Sequence, residues 1–427
     1  MLSFLSEKTE FPELNPVITI AKSADAIRKL NPTPKPELSV ALLTGCQDRS
    51  YAFGLAMALS SIGIHVDIIG NGRVDSPEFH TSPNLAFFDL GGIQQHQARF
   101  SKKSVQLLAY YARLLRYVAS AQPKLLHILW NSKLEFFDRT LFMVYCKLLG
   151  KRIALTVHNV NRGKRDDTDS WLNRLTLRIQ YRLADHIFVH TAKMGQELVE
   201  DFGVAAEAIT KIPFPLNIAV PHTNLDSSEA KRRLGIQPTD KTVLFFGRIA
   251  PYKGLDFLLE AFQTILPIHP DYRLIVAGEP MPGYDVYMSK VRNLINKPNV
   301  KPQIVEKLEF IPDEDTELYF KAADVVVLPY KDIFQSGVLF LGYSFGLPAI
   351  AADVGSFQED IAEAETGFLY GHGDSSGLAA TIEKFFRSDL YKELGSRRAK
   401  IRDQAKTEHS WETVGELTRI CYERLSA

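Results

Sequence analysis

Short apolar, β-branched runs punctuate this chain, and longer stretches with helical spacing of apolar residues separate them. Up to the proline-rich joint at 211–217 (KIPFPLN) the runs are 38–44 (LSVALLT), 64–69 (IHVDII), 125–129 (LLHIL), 152–157 (RIALTV) and 186–190 (HIFVH). Beyond it they are 241–247 (KTVLFFG), 272–278 (YRLIVAG), 308–311 (LEFI), 324–328 (DVVVL) and 348–352 (PAIAA). Runs of this length alternating with helices predict parallel strands covered on both faces. Because the pattern restarts after the joint, the chain reads as α/β, with two doubly wound, Rossmann-like domains facing a cleft and a hinge near Pro213 and Pro215. The expected boundaries are an N-terminal extension at 1–36, a first domain at 37–215, a second at 216–409 and a C-terminal helix at 410–427. That helix, with Trp411, Val414, Leu417 and Cys421 at helical spacing, is expected to return to the first domain.

One stretch, 333–352, is uncharged and about as long as a membrane span. Its three glycines, proline, glutamine and two serines instead predict a loop, a buried helix, a turn and a buried strand. The segment MLSFLSEKTEFPELNP lacks the basic and apolar regions of a signal peptide. Equal numbers of acidic and basic residues, 50 each, argue against nucleic-acid binding driven by bulk charge. Cys46, Cys146 and Cys421 show no metal-ligand spacing and fit a reducing compartment, so a cytoplasmic location is expected.

Candidate chemistry sits where strands end, because open α/β sheets bind ligands beyond their carboxyl edges. In LFFGRIAPYKGLDFLLEAF (244–262), Gly247 permits a tight turn, and Arg248 and Lys253 follow on the loop. Two cations there suit a diphosphate, arginine by bidentate grip and lysine as a point charge, although a solvated loop with chance basic residues has the same spelling. Gln335, Ser336, Gly337 and Val338 lead into an apolar helix whose first-turn amides would suit an anion, or whose small residues simply allow close packing. His158 and Asn159 follow a buried strand, in a position that fits either a structural histidine or one facing the cleft. Gly45 ends the first strand, where a glycine would let backbone approach a phosphate or sugar, but the spaced glycines of the dinucleotide fingerprint are missing. Asp167-Thr168-Asp169 and Asp313-Glu314-Asp315 read more simply as helix-start carboxylates than as metal ligands. Arg174, Arg178 and Arg182 recur every fourth residue in WLNRLTLRIQYRLA (171–184), with Trp171, Leu175 and Leu177 available for adjoining faces. That arrangement suits an anionic bilayer or acceptor, or a solvated face paired with Asp166, Asp167, Asp169 and Asp185.

Taken together, GRIAPYKG, DVVVLPY, FGLPAIAADVGSFQE and TGFLY (366–370) resemble the nucleotide-sugar glycosyltransferases called family 4, over roughly residues 38 to 425. The segments HILWNSKLEFFDRT (127–140) and LTVHNVNRGKRDD (155–167) are similar to a bacterial subgroup of that family. The resemblance implies a GT-B fold and transfer of a hexose from a nucleotide-sugar co-substrate to a polysaccharide or lipid-linked acceptor. It implies no other cofactor and no metal. Arg248 and Lys253 would hold the donor diphosphate, Gly337 and its neighbours would cap it, and His158 would contact the donor sugar near the reacting carbon. Gly45 would lie under the phosphates, with Glu279 and Ile311 near the base. The family's two glutamates, eight positions apart, are replaced: anchoring on Phe345-Gly346-Leu347-Pro348 puts Ile333 and Leu341 in their places. Gln335 and Ser336 are then candidates for the sugar contacts. The replacement also admits an alternative, a catalytically silent GT-B binding or scaffold subunit.

Overall fold

The computed structural model describes residues 38–91, 100–165 and 168–427. The expected extension at 1–36 and the acids Asp166 and Asp167 lie outside the described residues. Among the described residues the strands form two fully parallel sheets. The first has the order β3-β2-β1-β4-β5-β6-β7, from β1 (Ser39–Leu43), β2 (His65–Gly70), β3 (Leu85–Asp89), β4 (Leu125–Ile128), β5 (Arg152–Val157), β6 (His186–Val189) and β7 (Ile209–Lys211). The second has the order β10-β9-β8-β11-β12-β13, from β8 (Lys241–Phe246), β9 (Tyr272–Ala277), β10 (Ile304–Lys307), β11 (Val325–Leu328), β12 (Ala349–Ala352) and β13 (Gly367–Tyr370). Both are doubly wound, and β1 and β8 flank the points where strand order reverses. The expected α/β architecture of two Rossmann-like halves is therefore present.

The inner strands are largely buried, as their mainly apolar spelling requires: β4, β6, β11 and β12 have no exposed residue, and His127 in β4 and His186 in β6 are buried against the hydroxyls of Thr156 (2.7 Å) and Thr210 (2.9 Å). Two apolar layers sandwich the first sheet. One holds Tyr111, Phe142, Cys146, Leu177 and Leu198 from the helices that follow β3 to β6. The other holds Leu55 and Leu59 of the helix Arg49–Ser61 together with Trp411, Val414 and Tyr422 of the helix Trp411–Ser426. That second layer is close-packed through glycine, since a Cβ on Gly54 would lie 2.0 Å from the Trp411 ring.

The expected strand at 308–311 is absent. The edge strand β10 lies four residues earlier, in sequence that carries Glu306 and Lys307, while Leu308 to Ile311 form the loop after it. The stretch 333–352 resolves into a loop, the eight-residue helix Gly337–Ser344, a turn and β12, as its punctuation predicts. No helix among the described residues is long and apolar enough to cross a membrane.

The chain passes between the sheets twice, at 212–217 and at 409–411, and the two passages are bonded to each other. The Leu216 N–H donates to the His409 carbonyl (3.1 Å), His409 Nδ1 meets the Phe214 carbonyl (2.8 Å), and Trp411 Nε1 donates to the Leu216 carbonyl (2.9 Å).

Candidate functional site

A cavity of about 300 Å³ opens against this double passage. Phe214, Leu216 and Trp411 contribute from the passages, Asp48 and Tyr51 from the first half, and Tyr252, Lys253, Tyr330 and the 333–341 segment from the second. Five nominated residues line it: Lys253, Gln335, Ser336, Gly337 and Val338.

Lys253 is placed by backbone geometry. The chain leaves β8 through Gly247, at φ +97°, and makes the single turn Pro251–Lys253, which closes at Gly254 with φ +65°. A side chain at Gly254 would meet the Pro329 carbonyl at 1.9 Å, so glycine allows this loop to pack on the end of β11. The Lys253 side chain is thereby folded inward, over Gly247 and 5.2 Å from the Tyr330 ring. It is 8% exposed and has no carboxylate within ion-pairing distance among the described residues. The nearby acid, Asp256, is engaged by Lys290 (2.9 Å), Lys331 (3.6 Å) and the Tyr287 hydroxyl (3.1 Å). Burial pulls the Lys253 ammonium below its ordinary range; Tyr252 opposes this, and the positive charges of Arg248 and Arg165 reinforce it. A buried cation is costly unless an anion meets it.

Helix Gly337–Ser344 faces the same space. The side chain of its N-cap, Ser336, makes no capping bond and instead reaches the Tyr330 hydroxyl at 3.3 Å. The Leu339 N–H donates to the Ser336 carbonyl (3.1 Å), while the Gly337 and Val338 amides have no partner among the described residues and stand at the positive end of the helix dipole. A Cβ on Gly247 would be 3.4 Å from Val338, so the loop after β8 and this helix start touch. Gln335 Oε1 is buried without a hydrogen-bond partner. Ile333 and Leu341 also line the cavity, so the positions where the family carries glutamates do face it, with apolar side chains. Asp48 caps the helix Arg49–Ser61 by accepting from the Tyr51 N–H (3.1 Å). Its carboxyl is raised, chiefly by loss of water between the walls.

The other nominated residues are not among those that line this cavity. Arg248 is exposed and pairs with Glu279 at 3.4 Å. His158 lies behind Tyr51: its ring stacks on Trp130 (4.3 Å, 1°), meets Tyr51 edge-on (4.8 Å) and approaches His190 (5.2 Å). Burial, with His190 and His127 nearby, holds it well below the ordinary imidazole range, so the ring is neutral. Its Nε2 is buried and unpartnered. At Gly45, φ +57°, the space of a Cβ is filled by the Trp130 and Asn131 carbonyls, so this glycine admits the β4 loop beside it. Ile311 is 8% exposed, packs in the core of the second half and is not among the residues that line the cavity. Asp313, Glu314 and Asp315 occupy the first turn of the helix Asp313–Ala322.

Sequence reasoning did not nominate Tyr51, Trp130, Trp411 or Arg165. The Arg165 guanidinium lies 4.4 Å over the Tyr252 ring, reaching from the first half to the residue beside Lys253. Trp130 follows the end of β4, and the strand-end rule that flagged His158 would have found it too.

Known proteins share both halves. Residues 49–219 match the family described as Glycosyltransferase Family 4, and residues 226–408 match Glycosyl transferases group 1. A D-inositol 3-phosphate glycosyltransferase of Acidothermus cellulolyticus is 24% identical over 398 residues, 88% of this chain and 87% of that protein. Among solved structures, the sucrose-phosphate synthase of Thermosynechococcus elongatus superposes with a TM-score of 0.73 at 19% identity, covering 91% of this chain and 99% of its own. HepE of Anabaena, in complex with UDP and glucose, does so with a TM-score of 0.71 at 17% identity, covering 91% and 100%. With a glycosyltransferase match in each half and GT-B structural neighbours along nearly all of the chain, the protein is a glycosyltransferase homologue of GT-B fold that resembles family 4.

Proposed function

We propose that this chain transfers a hexose from a nucleoside diphosphate sugar to a saccharide or lipid-linked acceptor, in the cytoplasm at the inner face of the membrane. The observation that carries the reading is Lys253, a buried ammonium with no carboxylate partner among the described residues, beside the uncapped start of helix Gly337–Ser344. A diphosphate in this position supplies the missing counter-charge and accepts from the first-turn amides. The structural neighbour solved with UDP and glucose supports the same class of donor.

In this reading, cleavage of the bond from the anomeric carbon to the phosphate leaves negative charge on the diphosphate. Lys253 and Arg248 neutralise it, and no metal is required. Arg248 exchanges Glu279 for phosphate. His158, neutral and with its buried Nε2 unpartnered, reaches the sugar near the reacting carbon when Tyr51, which stands between it and the cavity, moves aside. Gln335 Oε1 accepts from a sugar hydroxyl in place of the absent glutamate.

The test is turnover of purified Arg248→Ala and Lys253→Ala with UDP-, GDP- and ADP-sugars. Losing one preorganised electrostatic contact typically lowers turnover about 10²–10³-fold, and that loss is expected in each variant with the fold intact. Near-normal turnover in either would move the diphosphate elsewhere. No transfer by the native chain, with nucleotide binding retained, would favour a silent binding subunit, the outcome to which the apolar Ile333 and Leu341 lend support.

A further inference from the structure

The helices Met143–Leu148 and Trp171–Leu183 lie side by side in the layer that covers one face of the first sheet, with Phe142, Cys146, Leu177 and Tyr181 turned inward. Their outer faces are unusual. Leu141, in the π-helical turn Asp138–Phe142 that runs into the first helix, and Leu148, at that helix's end, are 66% and 82% exposed. On the neighbouring helix, Trp171 is 75% exposed, and Leu175, Arg178 and Arg182 follow it at i+4, i+7 and i+11 on the same stripe. Single exposed apolar residues are ordinary, but several on two adjacent helices are not.

The charge on this face decides what covers it. Arg174 is taken by Asp169 at 2.5 Å. Asp185, the acid closest in sequence to Arg182, is held by Lys147 (2.7 Å) and Arg152 (3.2 Å). Arg178 reaches only a backbone carbonyl, that of Asp201, at 3.3 Å. Neither Arg178 nor Arg182 has a carboxylate partner among the described residues. Two cations in line with an exposed tryptophan and leucine are complementary to anionic headgroups above an acyl boundary.

We infer that this two-helix face docks the protein on an anionic bilayer. The inference stands apart from the donor-site reading, because it depends on none of the residues assigned there. Leu141, Leu148, Trp171 and Leu175 enter the headgroup boundary, while Arg178 and Arg182 contact lipid phosphates. The attachment is reversible, since each cation near an anionic surface favours binding about fivefold.

The experiment is flotation of the full chain with vesicles of equimolar phosphatidylglycerol and phosphatidylcholine, and of phosphatidylcholine alone, at low salt and at about 0.5 M salt. Binding to the anionic vesicles at low salt, weakened by salt and by removing the anionic lipid, is expected. Arg178→Gln/Arg182→Gln should lower it about 30-fold, and Leu141→Ser/Leu148→Ser should weaken it at both salt concentrations. All four positions are on the surface, so both double variants should melt with the native chain. No flotation with anionic vesicles at low salt, or equal flotation of native and variant chains, would overturn the inference. So would a solution dimer that Leu141→Ser/Leu148→Ser dissociates, which would make the face an interface between copies.

Discussion

At the scale of the residue, Lys253 separates a structural role from a functional one. A lysine kept for stability would lower the melting temperature when removed. Lys253 is buried and its ammonium is held below the ordinary range, so the folded state binds that proton less tightly than the unfolded chain does. Stability therefore rises with pH through the window between the lowered and the ordinary lysine value, and below that window the charge costs stability. Lys253→Met removes the cost. The ligand-free variant should melt at or above the native temperature near neutral pH, with the difference shrinking as pH rises. Calorimetry across pH checks this; a variant that melts lower at every pH would make Lys253 a structural residue.

Single residues also mark the limit of what the sequence discloses. Lys253, Gln335, Ser336, Gly337 and Val338 were legible because they follow strand ends, and the sheet topology brings those ends to one cavity. Ile333 and Leu341 were legible as departures, and they do face the cavity. Tyr51 and Trp411 were not. They reach the site because a helix from each end of the described chain packs on one layer; the return of the C-terminal helix was expected from its apolar spacing, but its place beside Tyr51 at the cavity was not. Ile311 was placed by an aligned motif alone, which says nothing about whether a side chain turns toward core or cleft; its side chain packs in the core.

At the scale of the element, the strands that sequence reasoning missed share one property. β3, β7, β10 and β13 are the four edges of the two sheets, and none was placed correctly, whereas every inner strand was. Inner strands are flanked on both edges and read as mainly apolar runs. Edge strands are partly solvated and therefore short or polar: β7 has only three residues, and β10 is spelled IVEK. The same scale holds the packing of the helix Arg49–Ser61 on the helix Trp411–Ser426. Gly54→Ala should gain about 1 kcal/mol from helix propensity. The added methyl, however, would overlap a Trp411 ring that its Nε1 bond to Leu216 holds in place, and overpacking of this kind typically costs about 1–3 kcal/mol. A net loss on the order of 1 kcal/mol is expected in urea unfolding, and a stabilised variant would show that the two helices are free to separate.

At the scale of the whole molecule, the two halves are joined where they also enclose the cavity. Phe214 belongs to one passage, stacks on Phe340 (5.4 Å) and lines the site. Arg165 over Tyr252, the residue before Lys253, adds a second connection. A cation reaching across the cleft to a diphosphate site should favour the closed arrangement once phosphate is bound. Arg165→Gln should therefore weaken nucleoside diphosphate binding by about tenfold at low salt and less at high salt, leaving the melting temperature unchanged. Equal affinity by calorimetric titration would reduce the contact to a surface stacking.

The central claim is that a nucleoside diphosphate sits between Lys253 and the start of helix Gly337–Ser344. Isothermal titration of UDP, GDP and ADP into the native chain and into Lys253→Ala tests it most directly. The prediction is that at least one of the three binds the native chain and that its affinity falls about 100-fold in the variant, with the fold retained. Binding of none of them to the native protein, or equal binding to both proteins, would contradict the account.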